Sequence, residues 1–183
     1  MLTGANGSGK TSLLRVLATL VPAAAGRILW GNAPIDADLP AYRGRLHYVG
    51  HQDGVRPGLT PRETLLFWAG LRGGARRNAL GIEAALSAFA LGAVAEWPCR
   101  WLSAGQRRRL ALARVVATPA PIWLLDEPTT GLDEDNVGRL AQVIADHRTA
   151  GGRVVVASHA PLDIDAAATL AMDSFAPMLA DAD

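Results

Sequence analysis

The sequence predicts an α/β fold in which a mainly parallel sheet is flanked by helices. Short apolar runs of strand length alternate with longer helical segments along the 183 residues, the pattern of a parallel sheet covered on both faces. Two of these runs, at residues 46–50 and 122–125, stop at polar residues. Strands of an open α/β sheet end in this way where they face a ligand crevice. A glycine-rich loop close to Met1 leads directly into an apolar helical segment.

The predicted elements have recognisable start and stop signals. Thr60, Pro61 and Glu63 form the pattern of a helix capping box, and Gly151-Gly152 is a helix stop. Taken in order, the chain predicts a helix through Leu20, a strand at 27–30, a strand at 46–50, a helix from Thr60 to about Leu71, a linker at 73–78, a helix at 81–91, a helix capped by Ser103 with its body at 107–118, a strand at 122–125, a helix at about 134–150, a strand at 153–157 and a frayed tail after Phe175.

Composition favours one globular domain over residues 1–183, with 50% hydrophobic residues. The net charge of +1 gives no general drive toward nucleic acid, and the lone Cys99 excludes an internal disulfide. No segment reaches the roughly 18 apolar residues that a membrane helix requires. Met1 runs directly into the glycine-rich loop, so no signal peptide is expected.

The start of the chain is unusually abrupt for this fold. The glycine-rich loop should follow a buried strand of about five residues, and only residues 1–3 precede it. We therefore expect an N-terminal portion to be absent, through truncation or a misplaced start.

The glycine-rich loop matches the phosphate-binding pattern G-x-x-x-x-G-K-[ST]. Its amides are expected to cradle nucleotide phosphates, Lys10 to add a point charge, and the Thr11 hydroxyl to hold Mg²⁺. Lys10 is the only lysine in the chain. A glycine-rich turn before a helix is the alternative interpretation. The matching residues are Gly4, Ala5, Asn6, Gly7, Ser8, Gly9, Lys10 and Thr11.

Two carboxylates follow the apolar run at 122–125. Asp126 has the placement of a residue that holds Mg²⁺ directly or through water. Glu127 is a candidate general base or orienting group for a water in line with the γ-phosphate. Both could instead merely cap the next turn.

The order of these motifs resembles the ATP-binding cassette (ABC) ATPases. The phosphate loop is followed by a Q-loop at Gln52, a signature at 102–106, a Walker B segment at 122–127, a D-loop at 130–133 and a switch histidine at His159. The resemblance implies an ABC-type core of the P-loop NTPase fold with a small helical subdomain at roughly 60–115. An ordinary pair of core helices there is equally compatible with the periodicity. The family's N-terminal antiparallel strands, which carry an adenine-stacking aromatic residue, have no counterpart.

The signature has the groups expected of an anion-binding site. Ser103, Gly105 and Gln106 lie at a predicted helix N-terminus, where a hydroxyl and free amides can bind phosphate. In the family, this phosphate belongs to ATP held by a second subunit, so the resemblance implies a homodimer with Asp133 at its seam.

The resemblance also implies roles for two strand-end residues. Gln52 would contact Mg²⁺ or the attacking water and relay the nucleotide state to a membrane partner. His159 would bind the γ-phosphate and, with Glu127 and Lys10, complete the catalytic set. The three arginines at 107–109 either line this site or form a solvated face.

Finer features resemble the CcmA family, the ATPases of the haem exporter of cytochrome c maturation. They are the Arg-rich signature at 102–109, Gly54 after the Q-loop, and the switch region at 159–162. This implies ATP and Mg²⁺ as cofactors and a peripheral position on the cytoplasmic face of the bacterial inner membrane. The implied partners are the membrane subunits CcmB and CcmC and, indirectly, the haem chaperone CcmE, with no nucleic acid. Another ABC transporter, or a truncated inactive cassette, remains the alternative; a soluble cassette acting in DNA repair or translation is disfavoured because one cassette is present.

Overall fold

The computed structural model describes residues 1–72, 79–159 and 162–175. The predicted linker at 73–78, residues 160–161 of the predicted switch region and the tail after Phe175 lie outside these ranges. Strands and helices alternate: β1 (Leu2–Thr3), α1 (Lys10–Leu17), β2 (Leu29–Trp30), β3 (Ala33–Pro34), α2 (Leu39–Gly44), β4 (Leu46–Val49), α3 (Pro61–Leu71), α4 (Ala79–Ala88), α5 (Ala104–Ala117), β5 (Ile122–Asp126), α6 (Glu134–Thr149), β6 (Arg153–Ala157) and β7 (Leu170–Ala171).

Within the described residues, the main sheet has five strands in the order β4-β5-β6-β1-β7, and every pair in it is parallel. This confirms the predicted fold class. β5 lies between two neighbours, with Leu125 opposite Val49 on one side and Val156 on the other. Because these strands are parallel, their carboxyl ends meet at one edge of the sheet. Asp126 ends β5 at this edge, and the phosphate loop and His159 follow β1 and β6 there.

The hydrophobic core lies on both faces of the sheet. Trp123 and Leu125 of β5 pack into one cluster with the helices α3 to α6, whereas Ile122 and Leu124 pack into a second cluster with α1. All of β5 is buried, as expected for a parallel strand covered on both sides. The strand is therefore a rigid support for the carboxylate at its end.

The helices α3 and α5 begin at the predicted caps. Thr60 and Glu63 form a reciprocal capping box at α3, and Ser103 and Gln106 form another at α5. Apolar residues of α3, α4 and α5 pack into one cluster that also includes β4 and β5 residues. The limits of a separate helical subdomain stay a prediction.

Some elements differ from the predictions. The strand expected at 27–30 is the two-residue β2, which pairs antiparallel with β3 across Gly31-Asn32. The helix α4 begins two residues before the predicted 81 and ends three before 91. Three short elements, β3, α2 and β7, were not predicted, because two, six and two residues are too few to establish a periodicity. The Asp38 side chain caps α2 by accepting from the Ala41 amide at 3.0 Å.

Within the described ranges, no helix combines the length and the apolar character needed to cross a membrane.

Candidate functional site

The phosphate loop connects β1 to α1 and has the backbone shape that its glycines predict. Gly4, Gly7 and Gly9 all have positive φ angles. At Gly4 the loop is also tightly packed, since an added Cβ would lie 2.8 Å from Ser8 Oγ and 2.9 Å from Asp173 Oδ1. A larger residue at this position would have to displace these oxygens.

Lys10 is buried at the start of α1, with its ammonium inside the loop. Its Nζ donates to the carbonyl oxygens of Gly4 at 2.7 Å and Ala5 at 2.9 Å, so the charge is held at the mouth of the loop. Ser8 Oγ is buried and has no hydrogen-bond partner among the described residues. A cationic amine and a free hydroxyl within a loop of this shape fit an oxyanion such as a phosphate group.

Thr11 and Asp126 meet although 115 residues separate them. The Thr11 hydroxyl donates to Asp126 Oδ1 at 3.0 Å, and Asp126 is only 1% exposed. The Tyr48 hydroxyl makes a longer 3.5 Å contact with the other carboxylate oxygen. Burial, together with the charge of Asp126, raises the pKa of Tyr48, so this phenol stays protonated.

These oxygens fit a magnesium ion. Mg²⁺ prefers oxygen ligands and commonly uses one or two protein groups together with phosphate and water. Thr11 and Asp126 supply such a pair. In the part of the chain that the structure describes, no cluster of three or more His, Cys, Asp and Glu side chains forms an all-protein metal cage.

Glu127 follows β5 in an unusual backbone conformation. Its φ is +47°, a left-handed geometry that costs a non-glycine residue about 1–2 kcal/mol. The Glu127 amide donates to Ala157 O at 2.8 Å. Its Oε2 lies 2.8 Å from His159 Nδ1 and also accepts from the His159 amide at 3.3 Å. The structure thus brings the predicted base and the predicted switch histidine into direct contact.

Gln52 lies on the exposed loop after β4. It lines a crevice of about 690 Å³ together with Thr11, His51 and Asp126. Gln52 therefore faces the same space as the candidate magnesium ligands, without a hydrogen bond to either of them.

The signature residues form a helix tip in which Ser103 is exposed and Gly105 and Gln106 are partly exposed. Ser103 Oγ accepts from the Gln106 amide at 3.1 Å, and Gln106 Oε1 accepts from the Ser103 amide at 2.8 Å. Gly105 is closely packed, because an added Cβ would lie 3.1 Å from the Gly131 carbonyl oxygen of the D-loop. The signature does not line the crevice that contains Thr11 and Gln52.

Asp133 caps α6 next to this tip. Its carboxylate accepts from the Asn136 amide at 2.9 Å and from the Asn136 side chain at 2.6 Å. These bonds, the backbone one foremost, lower the pKa of Asp133 and stabilise its charged form.

Sequence reasoning missed two residues of the site and left a third, among the arginines after the signature, unresolved. Asp173 accepts from the Ala5 amide at 3.1 Å, and Tyr48 contacts Asp126. Neither carries a motif that could have identified it. Among the three arginines after the signature, Arg108 is buried rather than solvated, and Arg109 donates to the Phe89 carbonyl oxygen.

Comparison with known proteins identifies the family of this chain. A family model described as ABC transporter matches residues 1–130. The cytochrome c biogenesis ATP-binding export protein CcmA of Rhodospirillum rubrum is 52% identical over 97% of this chain and 75% of its own length. The chain belongs to the CcmA family of ABC transporter ATPases. The CcmA protein of Paramagnetospirillum magneticum is 48% identical over 96% of this chain and 82% of its own length.

The fold of this ABC ATPase also matches a solved structure. A putative ABC transporter ATP-binding protein from Pyrococcus furiosus superposes with a TM-score of 0.80 at 24% identity, covering 94% of this chain and 83% of that one. The ATPase subunit thus shares its fold with a distant relative, and its family membership makes ATP the nucleotide of the phosphate loop.

Proposed function

We propose that this ABC ATPase hydrolyses Mg-ATP to energise haem export in cytochrome c biogenesis. One observation carries the catalytic part of the proposal, namely that Lys10, Thr11, Asp126, Glu127 and His159 all lie at the carboxyl edge of the sheet with Gln52 beside them. The similarity to CcmA proteins supports the transport part.

The phosphate loop and Lys10 bind the β- and γ-phosphates of ATP. Thr11 and Asp126 would hold magnesium, which would supply positive charge to neutralise the phosphates. Gln52 completes this side of the site by contacting the metal or the attacking water.

Glu127 receives a proton from the water that attacks the γ-phosphate, which yields ADP and inorganic phosphate. Its 2.8 Å contact with His159 Nδ1 orients the imidazole. Because Nδ1 faces a carboxylate, Nε2 is the ring nitrogen of His159 that is left to contact a phosphate oxygen. Nε2 donates a hydrogen bond to that oxygen when both ring nitrogens are protonated. Charge that develops on the phosphate is thereby stabilised.

Each complete site requires two copies of the chain. The helix tip formed by Ser103, Gly105 and Gln106 is at least partly exposed and lies outside the crevice of its own subunit. A helix N-terminus binds anions through free amides and the helix dipole. In a homodimer this tip binds the γ-phosphate of ATP held by the partner's phosphate loop, with Asp133 near the seam.

The segment around α3 and α4 provides a surface for the membrane subunits. Large apolar side chains are exposed there, including Leu71 of α3 at 64% and Leu80 of α4 at 86%. Exposed apolar patches mark interaction surfaces. We assign this surface to the CcmB and CcmC subunits, which places the ATPase on the cytoplasmic face of the inner membrane, with CcmE as the downstream haem acceptor.

The test is complementation of a bacterium that lacks its own CcmA. The wild-type chain is expected to restore haem loading of CcmE and holocytochrome c, detected by haem staining. Glu127→Gln is expected to abolish both the restoration and the ATPase activity of the purified complex, because an amide accepts no proton from water at neutral pH. Glu134→Gln, an exposed change in the first turn of α6, is the matched control and is expected to retain both.

Two outcomes contradict the proposal. Undiminished ATPase activity in the Glu127→Gln complex would refute the role of this carboxylate. Copurification of an active wild-type ATPase with a different permease, without restored haem loading, would refute the haem-export assignment.

A further inference from the structure

Carbonyl groups on the free edge of β4 lack a neighbouring strand. β4 is an outer strand of the main sheet, and the Arg45 carbonyl oxygen accepts from the Ile122 amide of β5 at 3.1 Å. Carbonyl directions alternate along a strand. The carbonyls of Leu46, Tyr48 and Gly50 therefore face away from β5.

Three arginines from the helical segment satisfy these carbonyls. Arg72, just after α3, donates to Leu46 O. On α5, Arg114 donates to Tyr48 O and Arg108 to Gly50 O at 2.8 Å. The guanidinium groups thus join the helical segment to the strand that leads into the Gln52 loop.

Arg108 differs from the other two because it also bonds to the end of β5. Its Nη2 donates to Asp126 O at 2.9 Å and to Glu127 O at 2.7 Å, and its Nη1 lies 3.3 Å from Asp53 Oδ1. Arg108 is only 5% exposed. One planar group therefore connects the segments at 50–53 and 126–127.

The chemistry of this contact favours a positioning role. A guanidinium is a rigid fork that holds several acceptors at fixed directions. Here Nη2 donates to the carbonyl oxygen of Glu127, the residue with the left-handed backbone. The carboxylate of Asp53 offsets the positive charge of the guanidinium. The Arg108 Nε is buried with no partner among the described residues. The side chain is therefore oriented to bring Nη1 and Nη2 to their acceptors, although this leaves one donor without a hydrogen bond.

We propose that Arg108 is a positioning residue that holds Gln52 and Glu127 at a fixed separation and ties both to the signature helix α5. This inference rests on the roles proposed above for those two residues. Arg108 lies five residues after Ser103 on a continuous helix. A displacement of the helix tip on binding a phosphate is thereby transmitted to the Gln52 loop and to the candidate base together.

The test compares Arg108→Gln and Arg108→Lys with Arg72→Gln in the purified complex with its membrane subunits. Arg72→Gln breaks the same kind of arginine-carbonyl bond on the same strand without touching β5. Arg108→Gln is expected to lower kcat on the order of 10²-fold, the effect of about 1 Å of misplacement, with KM for ATP within about twofold. Arg108→Lys is expected to fall between, and Arg72→Gln to keep kcat within about twofold.

Hydrogen exchange of the chain itself gives a readout that does not depend on hydrolysis. Arg108→Gln is expected to accelerate exchange at residues 50–54 and 127–130, and Arg72→Gln to leave these segments unchanged. If Arg108→Gln fails to fold, Arg108→Lys decides by the same two measurements.

Distinct results overturn the inference and the proposed function. The inference is wrong if the Arg108 variants keep the wild-type kcat and the wild-type exchange rates. It is also wrong if Arg72→Gln lowers kcat and accelerates exchange as much as Arg108→Gln does. Inactive wild-type complex, or active Glu127→Gln complex, contradicts the proposed function, whereas the exchange comparison still decides the role of Arg108.

Discussion

The buried His47 predicts a measurable loss of stability in mild acid. His47 lies on β4, where its Nε2 is 2.8 Å from Thr118 O and 3.0 Å from Thr118 Oγ1. Burial, followed by the charge of Arg72, lowers the pKa of His47 from 6.5 to about 3. The native ring is therefore neutral where the ring of the unfolded chain is already charged.

The sign and size follow from proton linkage. Between pH 6.5 and about pH 3, the unfolded chain binds a proton at His47 that the native chain does not, so the free energy of unfolding falls as the pH falls. Each pH unit below 6.5 lowers the free energy of unfolding by about 1.4 kcal/mol. From about pH 7.5 to about pH 5, this one ring accounts for a loss of roughly 2 kcal/mol.

Urea unfolding of the wild type and of His47→Gln at both pH values tests the prediction. His47→Gln is expected to lose about 2 kcal/mol less than the wild type over this interval, whatever its stability at neutral pH. Part of the pH dependence of the free energy of unfolding is expected to remain, because burial also lowers the pKa of His147. His51→Gln, which removes an exposed ring, is the control and is expected to keep the wild-type slope. An identical slope in His47→Gln and the wild type would refute the reasoning.

Two further predictions concern the nucleotide site. Thr11→Val is expected to weaken Mg²⁺-dependent ATP binding by about tenfold or more, since it removes the hydroxyl that would hold Mg²⁺ together with Asp126. Thr11→Ser retains the hydroxyl and is the control. Calorimetric titration with and without Mg²⁺ measures both affinities, and equal affinity of the two variants contradicts the prediction. Ser103→Ala and Thr60→Ala each remove a helix cap and are expected to destabilise the fold by about 1 kcal/mol. When each change is combined with Glu127→Gln, sedimentation with Mg-ATP is expected to show fewer dimers for Ser103→Ala than for Thr60→Ala. Equal dimerisation of the two variants would argue against a shared site.

Local features of the site were predictable because they depend on residues close together in the sequence. The capping boxes at Thr60 and Ser103 each involve a partner three residues away. The positive φ angles of the phosphate loop follow from its glycines. Asp126 was placed correctly at the end of a buried strand, since a continuous apolar run followed by a carboxylate indicates that position.

Contacts between distant segments were not predictable in the same way. The Arg108 contact with Asp126 spans 18 residues, and the contact of the Ala5 amide with Asp173 spans 168. Three consecutive arginines are also equivalent by composition. Their different environments arise only when α5 packs against β4 and β5, because the 3.6-residue helical period turns Arg108 inward.

By itself, the sequence determined the α/β fold, the phosphate-binding loop and the carboxylates at the end of β5, because these depend on short patterns of backbone freedom, capping and apolar periodicity. Only the tertiary structure decided that Glu127 contacts His159, that Tyr48 contacts Asp126, and that Arg108 joins two strand ends. The physical reason is that these contacts depend on which strands become neighbours and on the direction in which each buried side chain points, and no short stretch of sequence specifies either.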